Sequence, residues 1–152
     1  MLSTKYRLNL CAIEKNFSTI LTAIICFLFD EDKFRKKNRE FGKETFARRL
    51  CARQNEAFSF DHISTKYNIS EADLNNWVHF AAIREPIDRF VSGFVDKCLV
   101  ERTWIQYKER CNGCMTNLTC FVDAEYDRML RFSKEKARLN SFDDRHFFPQ
   151  NW

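Results

Sequence analysis

Lys15 lies in a polar break, Glu14-Lys15-Asn16-Phe17, between the apolar run Leu10-Cys11-Ala12-Ile13 and a second apolar run from Ile20 to Phe29. An ammonium followed by the hydroxyls of Ser18 and Thr19 at a helix start gives a phosphate or sulfate group positive charge, O–H donors and backbone N–H groups in one place. The glycines of G-x-x-x-x-G-K-[ST] are absent, so this is not a nucleoside triphosphate loop. A second constellation begins at Arg84. Ser92 follows eight residues later, about two helical turns on, so a guanidinium fork and a hydroxyl can converge on one phosphate, with Arg89 as a further cation between them. The competing structural role is that Arg84 pairs with Glu85, Asp88 or Asp96 and that Arg89 is a surface cation. For proton transfer His146 is the histidine of choice, because its ordinary pKa is near neutrality and a polar segment precedes it. His79 falls inside an apolar strand and reads as a satisfied core histidine, and nothing around His62 singles it out.

The elements needed to hold these groups are legible in the spacing. Tyr6 to Ile13 reads as a strand ending in the Lys15 loop, and Ser18 or Thr19 as the cap of a buried helix from Ile20. Trp77 to Ile83 reads as a second buried strand ending at Arg84-Glu85-Pro86, with Pro86 in the first turn of the next helix. In that helix Ile87, Phe90, Val91, Phe94 and Cys98 make a core-facing stripe that turns Ser92 to another side. Lys43 to Phe58 has helix-forming composition, Ser70-x-x-Asp73 resembles a capping box, and Leu118 to Leu130 repeats an amphipathic spacing. Two strands each followed by a helix predict an α/β domain with a parallel sheet, and 152 residues predict one domain, 1–152. In such a sheet ligands settle beyond the carboxyl ends of the strands, where both loops lie.

Composition narrows the partners. Net charge is +4, much of it in Lys33-Phe34-Arg35-Lys36-Lys37-Asn38-Arg39, which favours a polyanion without choosing among nucleic acid, an anionic membrane and an acidic glycan. The apolar run at Ile20 is about ten residues, too short for a hydrocarbon core that takes ~20, and Met1 to Leu10 lacks the apolar stretch of a secretory signal. Four of the seven cysteines cluster as Cys98, Cys111, Cys114 and Cys120. A four-thiolate zinc and disulfides compete for them, and a single C-x-x-C knuckle favours disulfides. Cys11, Cys26 and Cys51 read as small hydrophobes. Asn16-Phe17-Ser18, Asn68-Ile69-Ser70 and Asn117-Leu118-Thr119 are N-x-[ST] sequons, compatible with a lumenal setting.

The segments Lys15-Asn16-Phe17-Ser18-Thr19 and Arg84-Glu85-Pro86-Ile87-Asp88-Arg89-Phe90-Val91-Ser92-Gly93-Phe94 together resemble the 5′-phosphosulfate loop and the 3′-phosphate motif of the chondroitin and HNK-1 type carbohydrate sulfotransferases. His146-Phe147-Phe148-Pro149-Gln150 resembles their H-x-x-P-Q signature. The likeness runs from about Tyr6 to Trp152. It implies a three-layer α/β fold with a parallel sheet, like that of nucleotide kinases, and PAPS (3′-phosphoadenosine 5′-phosphosulfate) as sulfate donor with no metal. By that resemblance Lys15, Asn16, Phe17, Ser18 and Thr19 hold the 5′-phosphosulfate, Arg84, Arg89 and Ser92 hold the 3′-phosphate, and Lys15 and His146 are catalytic. The implied acceptor is a hydroxyl of an acidic glycan, not nucleic acid, in the Golgi lumen, with a membrane association for which this chain carries no anchor. The sequence departs from the family in having Glu14 where proline usually precedes the lysine, and it stops just after H-x-x-P-Q where relatives continue. A non-catalytic relative and a small basic zinc module binding nucleic acid are the alternatives: product formation separates the first, bound zinc the second.

Overall fold

The computed structural model describes residues 1–135 and 142–149. The chain falls into two compact units, Met1–Ala82 and Ile83–Trp152.

In the first unit a three-stranded sheet has the order β1 (Leu2–Ser3), β2 (Leu8–Cys11), β3 (Val78–Ala81). β2 and β3 are parallel, in register from Leu8 opposite Val78 to Cys11 opposite Ala81. β1 is antiparallel to β2, so the sheet is mixed rather than all-parallel. β3 was expected to be buried; instead Val78, His79 and Ala81 are exposed and only Phe80 is half-buried. His79 is accordingly not a core residue. Its ring lies at the surface, 3.2 Å from the Asn9 amide and 2.9 Å from the Leu74 carbonyl, with Phe60 edge-on.

After β2 comes α1 (Ser18–Phe29), which buries Thr22, Ala23, Ile25 and Cys26 and leaves Ile20 and Ile24 partly exposed. The helix is one-sided where the sequence suggested burial all round. α2 (Glu31–Lys36) follows, its first turn capped by the Asp30 carboxylate accepting from Lys33 N at 3.0 Å. Most of the basic run is exposed, but Phe34 turns inward against Phe27 and Phe41. The region 43–58 is not the expected helix. Beyond a 3-10 turn at Phe41–Lys43 it is a chain of turns, tied by Leu50 N donating to Glu44 and by a Cys26–Cys51 disulfide. Tertiary ties here override a favourable composition. Arg49, buried, donates to Glu56 and to the Phe46 carbonyl. α3 (Phe60–Tyr67) is capped by Ser59, and α4 (Glu71–Leu74) by Ser70, whose hydroxyl accepts from Asp73 N as the capping motif predicts. Leu2, Ile63, Leu74 and Trp77 make one core cluster.

In the second unit α5 (Pro86–Phe94) starts with Pro86 in its first turn and continues as a π-helical turn, Val95–Val100. Two 3-10 turns, Thr103–Ile105 and Arg110–Gly113, lead to α6 (Leu118–Glu135) and α7 (Phe142–Phe147). Phe94, Cys98, Cys111, Cys114, Phe121 and Phe147 form the core, with Phe121 and Phe147 meeting edge to face at 4.6 Å. Two disulfides, Cys98–Cys111 and Cys114–Cys120, pair all four clustered cysteines, which removes them as zinc ligands. Cys26 and Cys51 are likewise not free thiols; Cys11 is, and it is exposed. The inward face of α5 also differs from the expected stripe: Ile87 and Val91 are exposed, while Arg89, Gly93 and Phe94 are buried. Among the described residues no helix is long and apolar enough to cross a membrane.

Candidate functional site

In the first unit the polar break after β2 becomes a tight turn, with Asn16 N donating to the Ile13 carbonyl at 3.2 Å and Leu21 N to the Phe17 carbonyl at 3.0 Å. Lys15 and Phe17 both take positive φ, 66° and 59°. Such values are uncommon outside glycine and concentrate where structure over-determines the backbone. The turn buries Asn16 and exposes Phe17 and Thr19, with Lys15 and Ser18 half-buried. Phe17, not Ser18 or Thr19, is the N-cap residue of α1; it supplies no capping oxygen, and no acid stands in the first turn. The first turn of this twelve-residue helix therefore has neither a side-chain cap nor an acid of its own, and its N–H groups face the Lys15 turn.

The second unit contains Arg84, Arg89, Ser92 and His146. Arg84, just before α5, and Ser92, in its last turn, are both half-buried. The first turn of α5 is capped by Glu85, whose carboxylate accepts from Asp88 N at 2.8 Å, and Asp96 pairs with Lys97 at 3.0 Å. Arg89 is not a surface cation. It is 3% exposed, and its guanidinium donates to the Phe148 carbonyl at 2.7 Å and the Arg145 carbonyl at 3.1 Å. Arg89 thus ties α5 to the segment that carries His146.

His146 lies on α7, half-buried, its ring 4.2 Å from that of Phe142. Nδ1 is 2.6 Å from the Phe142 carbonyl oxygen, an acceptor, so Nδ1 carries the proton and Nε2 is the basic nitrogen. Pro149 ends the described part of the H-x-x-P-Q segment; Gln150 and Trp152 lie outside the described residues.

A buried polar cluster not singled out in the sequence supports α7. Arg128 on α6 donates to Asn112 Oδ1 at 2.7 Å, to Glu125 Oε2 at 3.0 Å and to Asp144. Asn112 donates through Nδ2 to Glu125 at 2.7 Å and through its backbone N to Asp143 at 3.2 Å. Burial pushes the carboxyls of Glu125 and Asp143 above their ordinary range, against the pull of Asn112 and Arg128. The available signal was Glu125 and Arg128 three apart on the face of Phe121, an ion pair on what proves to be the packed side of the helix.

Comparison with known proteins matches a family model described as the sulfotransferase family over residues 1–152. A putative sulfotransferase, vep-2, of Caenorhabditis elegans is 39% identical over 150 residues, covering 99% of this chain and 46% of that protein. Carbohydrate sulfotransferase chst-1 of the same organism is 31% identical over 152 residues, covering 99% of this chain and 45% of that protein. The chain thus spans less than half the length of these relatives. No solved structure matches it.

Proposed function

Since the chain belongs to the sulfotransferase family, we propose that it contributes the donor site for sulfuryl transfer from PAPS to a hydroxyl of a carbohydrate, an acidic glycan of the chondroitin kind. In this reading residues 1–152 belong to a sulfotransferase domain of the three-layer kinase-like class, in the Golgi lumen. The observation that carries it is the parallel register of β2 and β3. Their carboxyl ends, Cys11 and Ala81, lie side by side, and the chain leaves them into the Lys15 turn and towards Arg84 respectively.

PAPS supplies an activated sulfuryl group on a phosphate leaving group. Lys15 and the first N–H groups of α1 hold the 5′-phosphosulfate, where charge spreads as the bond to sulfur loosens. Arg84 and Ser92 hold the 3′-phosphate. His146, with Nδ1 fixed on the Phe142 carbonyl, takes the acceptor's hydroxyl proton at Nε2. The exposed cations of 33–39 offer a contact for the acidic glycan.

Calorimetric titration of the oxidatively folded chain with adenosine 3′,5′-bisphosphate tests the donor site. Arg84→Ala should weaken binding about tenfold or more, the loss of a charge-assisted bond. His146→Ala should leave binding intact and lower sulfuryl transfer to chondroitin about a hundredfold or more. Equal affinity in wild type and Arg84→Ala would overturn the assignment.

A further inference from the structure

We propose that Asn68 and Asn117 are N-glycosylation sites and that Asn16, in the remaining N-x-[ST] sequon, is not. The inference rests on the lumenal setting of the proposed function, and three features of the molecule separate the sequons. Asn68 is exposed at the C-terminal cap of α3, with φ 51° and ψ 50°, on a two-residue connection to the Ser70 cap of α4. Asn117 is exposed immediately before α6, inside the loop closed by Cys114–Cys120. Its Oδ1 accepts from Cys120 N at 3.1 Å, so the carbonyl oxygen faces the helix and caps it. The glycan bond forms at the other end of the amide, at Nδ2. The cap oxygen is retained after modification, so a glycan at Asn117 costs α6 nothing at its first turn. Asn16, by contrast, is 1% exposed within the Lys15 turn, and a sugar on its Nδ2 has no room in the folded unit.

The bridges add an independent argument for the compartment. Six of the seven cysteines are paired, as expected of a chain folded under oxidising conditions where this modification takes place. In the transfer, Nδ2 forms a bond to the anomeric carbon of an oligosaccharide carried on a lipid pyrophosphate. The carbon–oxygen bond to the pyrophosphate breaks, the lipid pyrophosphate leaves with that electron pair, and one Nδ2 proton is released.

The test is to express the chain behind a cleavable secretory signal in cultured eukaryotic cells and treat the purified, oxidised protein with peptide N-glycosidase in 18O-labelled water. Peptide mass spectrometry then reads which asparagines were converted to 18O-aspartate. The expected result is label at Asn68 and Asn117 and none at Asn16. Asn68→Asp and Asn117→Asp should each remove one step of gel mobility; aspartate tolerates the backbone of Asn68 and keeps the cap oxygen of Asn117, so both variants should fold. Thr119→Ala should remove the Asn117 step with the asparagine left in place. Absence of label at either predicted site in secreted protein, or label at Asn16, overturns the assignment. Bisphosphate binding by the same preparations reports on the donor site separately: bare protein that binds defeats this inference alone, and glycosylated protein that does not bind defeats only the functional reading.

Discussion

Arg89 is a buried cation that donates to two backbone carbonyls. Its removal leaves the Phe148 and Arg145 carbonyls without their donor, and Arg89→Ala should lower stability by about 3 kcal/mol in urea unfolding, the range for charge-assisted bonds. The inward turn of Arg89 was not legible: hydrophobic spacing points α5 towards Ile87 and Val91, and the packing partner that reverses this, Phe147, lies far along the chain. Glu125 makes a prediction in pH. Burial favours its neutral form, so the folded chain keeps a proton there at pH values where the unfolded chain has released it. Stability from this group is greatest below the ordinary glutamate value of 4.5 and declines as pH rises through the raised folded value. Glu125→Gln keeps an acceptor for Asn112 and Arg128 without the ionisation. Thermal melts should show wild type losing ground to the variant from pH 4.5 upward; a gap that stays constant with pH would reject the buried proton.

At the scale of elements, the contact between α5 and α7 depends on a missing side chain. A Cβ on Gly93 would stand 2.7 Å from Phe147 Cε1 and 3.3 Å from the His146 carbonyl oxygen. The neighbours are a core ring and a backbone, neither of which yields easily, so Gly93→Ala should cost about 1–3 kcal/mol of stability, read by the same urea titration. The displaced backbone is that of the candidate base, so sulfuryl transfer should fall in the variant while bisphosphate affinity changes little. Local signals placed several elements well. Ser70 caps α4, Pro86 opens α5, and the parallel pair β2 and β3 follows the two apolar runs. They failed where long-range ties decide the backbone, as between Lys43 and Phe58, where the Cys26–Cys51 bridge and the Glu44 carboxylate hold turns in a helix-prone sequence. The αL cap at Phe17 was equally hidden, since nothing about phenylalanine favours positive φ.

For the whole molecule, the lysine turn and the Arg84 segment were visible because each joins an apolar run to a charged break, a pattern short enough to read without knowing the fold. The division at Ala82 was not visible, because no linker composition marks it. Loop closure makes the Cys26–Cys51 bridge, across 25 residues, worth about 3 kcal/mol. Cys26→Ala with Cys51→Ala should lower the melting temperature accordingly, and an unchanged melt would mean the bridge is absent from the folded protein.

With Cys11 set aside, every bridge joins a cysteine to the next one along the chain, and none interleaves with another. Pairing can therefore proceed in the order of synthesis, with Cys26 closing on Cys51 before the later thiols have left the ribosome. The early error open to the chain is capture of Cys26 by Cys11, which emerges first. Oxidative folding should then pass through one dominant non-native isomer, and Cys11→Ser should remove it and raise the yield of correctly bridged protein.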